Sequence, residues 1–242
     1  MDWEETLFLI NFVTASMAVP QNYPYINIHS HYKPRIPEEV VIRNGFAKVT
    51  KEFAYNVPYN ISIGIHPWFI THDSYVKTIE MDHIANLPSV MAIGEIGLDR
   101  VIKTDIKIQA TIFEQQLKLA EKLQKPVIIH CVRAYSDIIP FMKKYDLIYI
   151  LHDYRGNLEQ TRMLLKFNSY FSFGKSLFHT NFGENLKVIP LSRFFLETDN
   201  APCTIDQVYN QAAMIRKISV EKIKEELFYT FASVFKKQPK EN

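Results

Sequence analysis

Cysteine is scarce. The only two in 242 residues, Cys131 and Cys203, cannot build a disulfide framework and lack the paired spacing of a zinc knuckle. That suits a reducing compartment, and a cytoplasmic location is expected. Glycine is scarce too: seven residues, scattered, form no phosphate-cradling loop, which argues against an open doubly wound nucleotide-binding sheet. Charge of one sign is nearly absent. A net charge of +2 makes no case for a broad nucleic-acid-binding face, so any polyanion contact must be local. The only obvious basic cluster, Lys236, Lys237 and Lys240, is explained as well by a solvated tail as by a phosphate track.

Long apolar runs are also missing. Leu7–Val19 comes nearest, but it is interrupted by Asn11, Thr14 and Ser16 and falls short of the ~20 apolar residues of a membrane span. Asp2, Glu4 and Glu5 precede it and no Lys or Arg appears before Lys33, so the basic start of an export signal is lacking. Residues 1–24 are expected to be an N-terminal extension: a helix packed on the main domain, or sequence upstream of a true start at Met17. Residues 25–242 are expected to form one domain, and the whole chain, with 47% hydrophobic and 22% charged residues, has the composition of ordinary globular proteins.

What is present is a recurring pattern. Val90–Ile93 reads as a short buried strand, after which Gly94 is expected to turn the chain and present Glu95 at the strand's end. Tyr25–His29 alternates like a strand and delivers His29 and His31, which alternation places on one face. Asn60–Ile65 ends on His66, Val127–Ile129 on His130 with Arg133 three residues beyond, and Leu147–Leu151 on His152. Ser169–Phe173 is a further strand, and Phe194–Leu196 runs into Glu197, Thr198 and Asp199. Helical spacing covers Tyr75–Leu87, Ile106–Leu123, Ser136–Tyr145, Leu158–Lys166, Ile205–Ile218 and Val220–Lys236. Tyr32–Pro58 is poorly patterned, and Glu38–Arg43 within it fits a strand or a helical turn.

Strands alternating with helices predict an α/β fold with a parallel sheet. Closed into a TIM-type (β/α) barrel, that sheet gathers the C-terminal strand ends on one rim, where such barrels keep their chemistry. His29, His31, His66, Glu95, His130, His152 and Asp199 would then converge. Any one imidazole is explained as well by an ordinary hydrogen bond. Recurrence at successive strand ends points instead to a site for one or two divalent cations.

At these residues the chain resembles the TatD-type metal-dependent hydrolases, a branch of the amidohydrolase-like barrels. The matching stretches are NIHSH at 27–31, GIHPW at 64–68, GEIGLD at 94–99, the segment 113–134 ending in IIHCVRA, LHDYRGN at 151–157 and ETDNAP at 197–202. The resemblance implies a metal-dependent hydrolase cleaving phosphodiester bonds, a deoxyribonuclease, with two divalent ions (Mg, Mn, Zn or Fe) and DNA or another phosphodiester as substrate. It implies neither membrane nor obligate protein partner. By the same resemblance His29 and His31 bind one metal with Asp199, Glu95 bridges to a second, and His130 and His152 complete that second site. Asp199 is implied as general base, His66 and Arg133 as substrate-binding groups, and Glu197 as an orienting residue.

Asn27 and Asn200 depart from the family, which usually has Asp and a small residue there. The short gap between His31 and Gly64 predicts one abbreviated βα unit. Two rival readings stay open: an amidohydrolase-type enzyme cleaving a C–N or lactone bond, and a non-catalytic metal-binding module.

Overall fold

A computed structural model describes residues 22–45, 54, 56–179 and 183–235. The run Leu7–Val19 and the lysines Lys236, Lys237 and Lys240 lie outside the described residues. Among the described residues, eight parallel strands follow one another around a TIM-type barrel in chain order. They are β1 (Tyr25–Ser30), β2 (Glu39–Asn44), β3 (Asn60–Ile63), β4 (Val90–Asp99), β5 (Val127–Val132), β6 (Tyr149–Leu151), β7 (Ser169–Phe173) and β8 (Phe194–Leu196). The intervening helices are α1 (Ser74–Ala85), α2 (Ile106–Leu123), α3 (Tyr135–Lys144), α4 (Leu158–Leu164) and α5 (Gly183–Val188), with α6 (Ile205–Arg216) and α7 (Val220–Phe235) after the last strand. No described helix is long and apolar enough to cross a membrane.

Closure between β8 and β1 is narrow. Ser30 and Asp199 form a parallel bridge in which the Asp199 N–H donates to the His29 carbonyl and the His31 N–H to the Asp199 carbonyl, both at 3.0 Å. Just below, a side chain does the work of a ladder. Asn27 Oδ1 accepts from the Thr198 N–H at 3.1 Å, while its Nδ2 donates to Thr198 Oγ1 at 2.9 Å and to Glu39 Oε1 at 2.6 Å. The Asn that departs from the family pattern is thus a buried seam residue with its amide oxygen and nitrogen both satisfied.

The abbreviated unit is the first. Residues 31–38 join β1 to β2 without a helix, and Pro34 and Pro37 account for that by removing donors and fixing φ. The strand itself survives: Glu39–Asn44 is β2, one of the eight strands among the described residues. The short helix α5 had no counterpart in the periodicity.

The expectation for Gly94 needs correction. The chain does not turn there: β4 continues to Asp99, pairing Ile96 with Ile129 and Asp99 with Val132 on β5. The pairing slips between Gly94 and Ile96, at Glu95. Glycine is needed for closeness rather than for a turn. A Cβ on Gly94 would sit 2.6 Å from Ile128 Cβ, and one on Gly97, whose φ is +149°, would sit 1.9 Å from the His130 carbonyl oxygen.

Two buried glutamines on α2, seven positions apart, fix the rim from outside. Gln116 Oε1 accepts from the Ile65 N–H at 2.6 Å and Gln116 Nε2 donates to the Ile65 carbonyl at 3.2 Å, immediately before His66. Gln109 does the same for Asp99, at 2.8 and 3.0 Å. Both segments lie beyond regular pairing on one side, so their peptide groups depend on these amides. Gln116→Leu therefore leaves a buried N–H and C=O without partners and is expected to cost about 2–4 kcal/mol in denaturant unfolding; a loss below about 0.5 kcal/mol would contradict the clamp.

Candidate metal centre

Glu95 is the hub of the rim, a carboxylate only 4% exposed. Its Oε1 lies 2.9 Å from His130 Nδ1, 3.1 Å from His152 Nε2 and 3.1 Å from His66 Nε2. Its Oε2 accepts from Asn44 Nδ2 at 3.2 Å and lies 3.4 Å from His29 Nε2. Strands β1 to β6 all contribute to or adjoin this one group. Asp199, on the β8 side, has Oδ1 at 3.3 Å from His31 Nε2 and 3.8 Å from His29 Nε2, and accepts on Oδ2 from Lys175 Nζ at 3.1 Å. Asp199 holds a left-handed backbone with φ 47°.

The far nitrogens decide what each imidazole can offer. His152 Nδ1 lies 2.7 Å from Glu197 Oε1, and His130 Nε2 lies 3.2 Å from Asp99 Oδ2. A carboxylate on the far nitrogen keeps a proton there and turns the other lone pair inward, the arrangement of a metal-ligating histidine. His66 is the opposite case. Its Nδ1 accepts from the Trp68 N–H at 3.1 Å, so in the neutral ring the proton sits on Nε2 and donates to Glu95. His66 falls in one of three groups whose donor atoms lie within 4.8 Å of one another, but this tautomer makes it a hydrogen-bond donor rather than a ligand.

Electrostatics follow from this geometry. Burial pushes Glu95 up, but the charge on His152 and the hydrogen bonds from His130 and His152 outweigh it and hold the carboxyl well below its usual range. Burial opposes the charge on His152, yet Glu197 and Glu95 raise it well above an ordinary histidine. Burial likewise pushes Asp199 up, and the hydrogen bond from His31, the His152 and His29 charges and Lys175 reverse that shift. His66 is lowered by burial, with Glu95 offsetting only part.

The residues fit divalent cations. His29 is fully buried with both ring nitrogens lacking a hydrogen-bond partner, a condition that costs about 1–3 kcal/mol if nothing else binds there. It belongs to two donor groups at once, His29–His31–Asp199 and His29–Glu95–His152, and its Nε2 faces both Glu95 and Asp199. Imidazole with carboxylate suits Zn, Fe or Mn and accepts Mg.

The seven rim residues named from the sequence all meet. Glu197 lies directly behind His152, and its Oε1 also accepts from the Asp153 N–H at 3.1 Å. Arg133 stands apart from the cluster, exposed on the wall of a cleft of about 820 Å³ that opens over the centre, with φ 51°. Four contributors went unassigned. Asn44 closes β2 on a polar residue, the same signal that found the histidines. Asp99 and Trp68, whose Nε1 donates to Asp99 Oδ2 at 2.7 Å, were within the matching stretches. Lys175, two residues after β7, had no signal beyond its place.

The profile of the TatD related DNase family matches residues 37–236. An uncharacterised metal-dependent hydrolase of Buchnera aphidicola is 30% identical over 165 residues, 64% of this chain and 62% of that protein. A human 3'-5' RNA nuclease is 34% identical over 148 residues, 57% of this chain and 19% of that protein. The chain thus spans less than two thirds of the length of these curated relatives. The crystal structure of the TatD homologue from Escherichia coli shares the fold, with a TM-score of 0.78 at 21% identity over 88% of this chain and 98% of that one.

The raised His152 gives a pH signature in metal-free protein. A histidine whose folded pKa exceeds the ordinary 6.5 contributes stability that is full below 6.5 and lost as pH rises through the folded value. After chelation, the stability gap between wild type and His152→Asn should be widest at acid pH and shrink upward from pH 6.5 in thermal denaturation. A gap that widens with pH contradicts the assignment.

Proposed function

Because the chain belongs to the TatD-related DNase family, we propose that it is a divalent-metal-dependent hydrolase of phosphodiester bonds, a deoxyribonuclease acting on DNA ends. The observation that carries this reading is the buried carboxylate of Glu95 approached by imidazoles from four segments, one of which, His29, lies 3.4 Å away with no hydrogen bond at either ring nitrogen.

His29, His31 and Asp199 would hold one cation, and Glu95 would span to a second held by His130 and His152. Asp99 and Glu197 keep the last two rings in the ligating tautomer. Two such cations supply Lewis acidity for both the attacking and the leaving oxygen of a phosphodiester at neutral pH. Asp199, ionised at that pH, takes the proton from the attacking water. Arg133 offers a forked guanidinium to phosphate oxygens, and His66 would offer the N–H that it now gives to Glu95 once the cations engage that carboxylate. Trp68 and Phe69, more than half exposed on the same cleft, offer ring faces to a base. Both cysteines are free thiols, in keeping with a cytoplasmic setting. The human relative's name makes RNA the second polymer to assay.

Asp199→Asn should lower the rate on single-stranded DNA roughly 10²–10⁴-fold with the fold intact by circular dichroism. Chelation should abolish the wild-type rate and divalent ions restore it. Turnover of cyclic amides or lactones with none of DNA, or an unchanged rate in Asp199→Asn, overturns the reading.

A further inference from the structure

Gly174 brings the chain close over the seam. A Cβ there would lie 2.9 Å from the Glu197 carbonyl oxygen, and this close approach sets the next residue, Lys175, above Asp199 on the cleft wall. The ammonium group has two acceptors: Asp199 Oδ2 at 3.1 Å and Asn200 Oδ1 at 2.9 Å. An ammonium carries three donors, and the third has no acceptor among the described residues while the side chain is 39% exposed to the cleft. Asn200 matters because it is neutral. It fixes the lysine without cancelling its charge, whereas the small residue usual at that place in the family would leave a single anchor.

A lysine in this position has an electrostatic consequence. Asp199 brings one negative charge, and it is already shared with His31 and His29. Cations bound beside it would repel Lys175 at short range unless an anion stood between them. We propose that Lys175, held by Asn200, is a substrate-contacting residue whose ammonium grips a non-bridging oxygen of the scissile phosphate. It is a fixed cation held on Asp199 and Asn200, whereas His66 and Asn44 reach the centre through Glu95, and it adds a charged grip to those of His66 and Arg133. The inference rests on the phosphodiesterase reading above.

The test uses the metal-loaded full chain and two readouts. Calorimetric titration with inorganic phosphate should show Lys175→Met binding roughly 10- to 100-fold more weakly than wild type, the loss expected for one hydrogen bond to a charged group. Lys175→Arg should recover most of that affinity, and Asn200→Ala should lose a smaller part. Metal content per chain should stay at the wild-type level in all three. KM for a single-stranded oligonucleotide should rise in Lys175→Met in step with the phosphate affinity. Phosphate binding unchanged in Lys175→Met, or absent from wild type, overturns the proposal. A fall in kcat with loss of metal and unchanged phosphate affinity also overturns it, because Lys175 would then act only on Asp199. If oligonucleotides are not cleaved at all, the phosphodiesterase reading fails, while the phosphate titration still judges Lys175 separately.

Discussion

A carboxylate with almost no access to water is tolerable only where positive or proton-donating groups surround it closely. Glu95 is that carboxylate, and meeting its demand organises the barrel's upper rim. Imidazoles arrive from β1, β5 and the ends of β3 and β6, and an amide arrives from β2. None of these could reach Glu95 if the strands were not parallel and ordered, because only then do their C-terminal ends share one side. The slip in pairing beside Gly94 and the bare backbone at Gly97 are what let β4 lie tightly on β5 while Glu95 stays inside.

Much of this is legible in the sequence. The alternation of strand and helix, the position of α2 and the residues at the strand ends followed from periodicity and from the physics of buried polar groups. Other features were hidden for identifiable reasons. Gly94 looked like a turn because the apolar run stops at Ile93, yet the ladder to β5 continues through residues whose partners lie more than thirty positions away. Such pairing has no local signature. The glutamines on α2 appeared as two more polar positions in a helix, and only the fold reveals that they satisfy peptide groups at Ile65 and Asp99. His66 shared its position at a strand end with the other histidines. Its tautomer, set by the Trp68 N–H, is what distinguishes it.

Support behind the rim is as specific as the rim itself. Each inward-facing ring of His130 and His152 has its own carboxylate behind it, Asp99 and Glu197 respectively. Asp99 is in turn held by Trp68 and by its own backbone contacts to Gln109. An aromatic residue on the cleft wall and a glutamine on the outer helix therefore both bear, through Asp99, on the orientation of one imidazole. Substitutions at either place act on the centre without touching it.

The seam has a consequence for how the molecule comes into being. His29 and His31 meet Asp199 through the same backbone bonds that shut the cylinder. On the ribosome the first strand must wait, its edge unpaired, until the eighth has been made. A nascent chain that stops short of residue 199 can neither close nor assemble its full set of donors, so the chemistry is withheld until the eighth strand has been made.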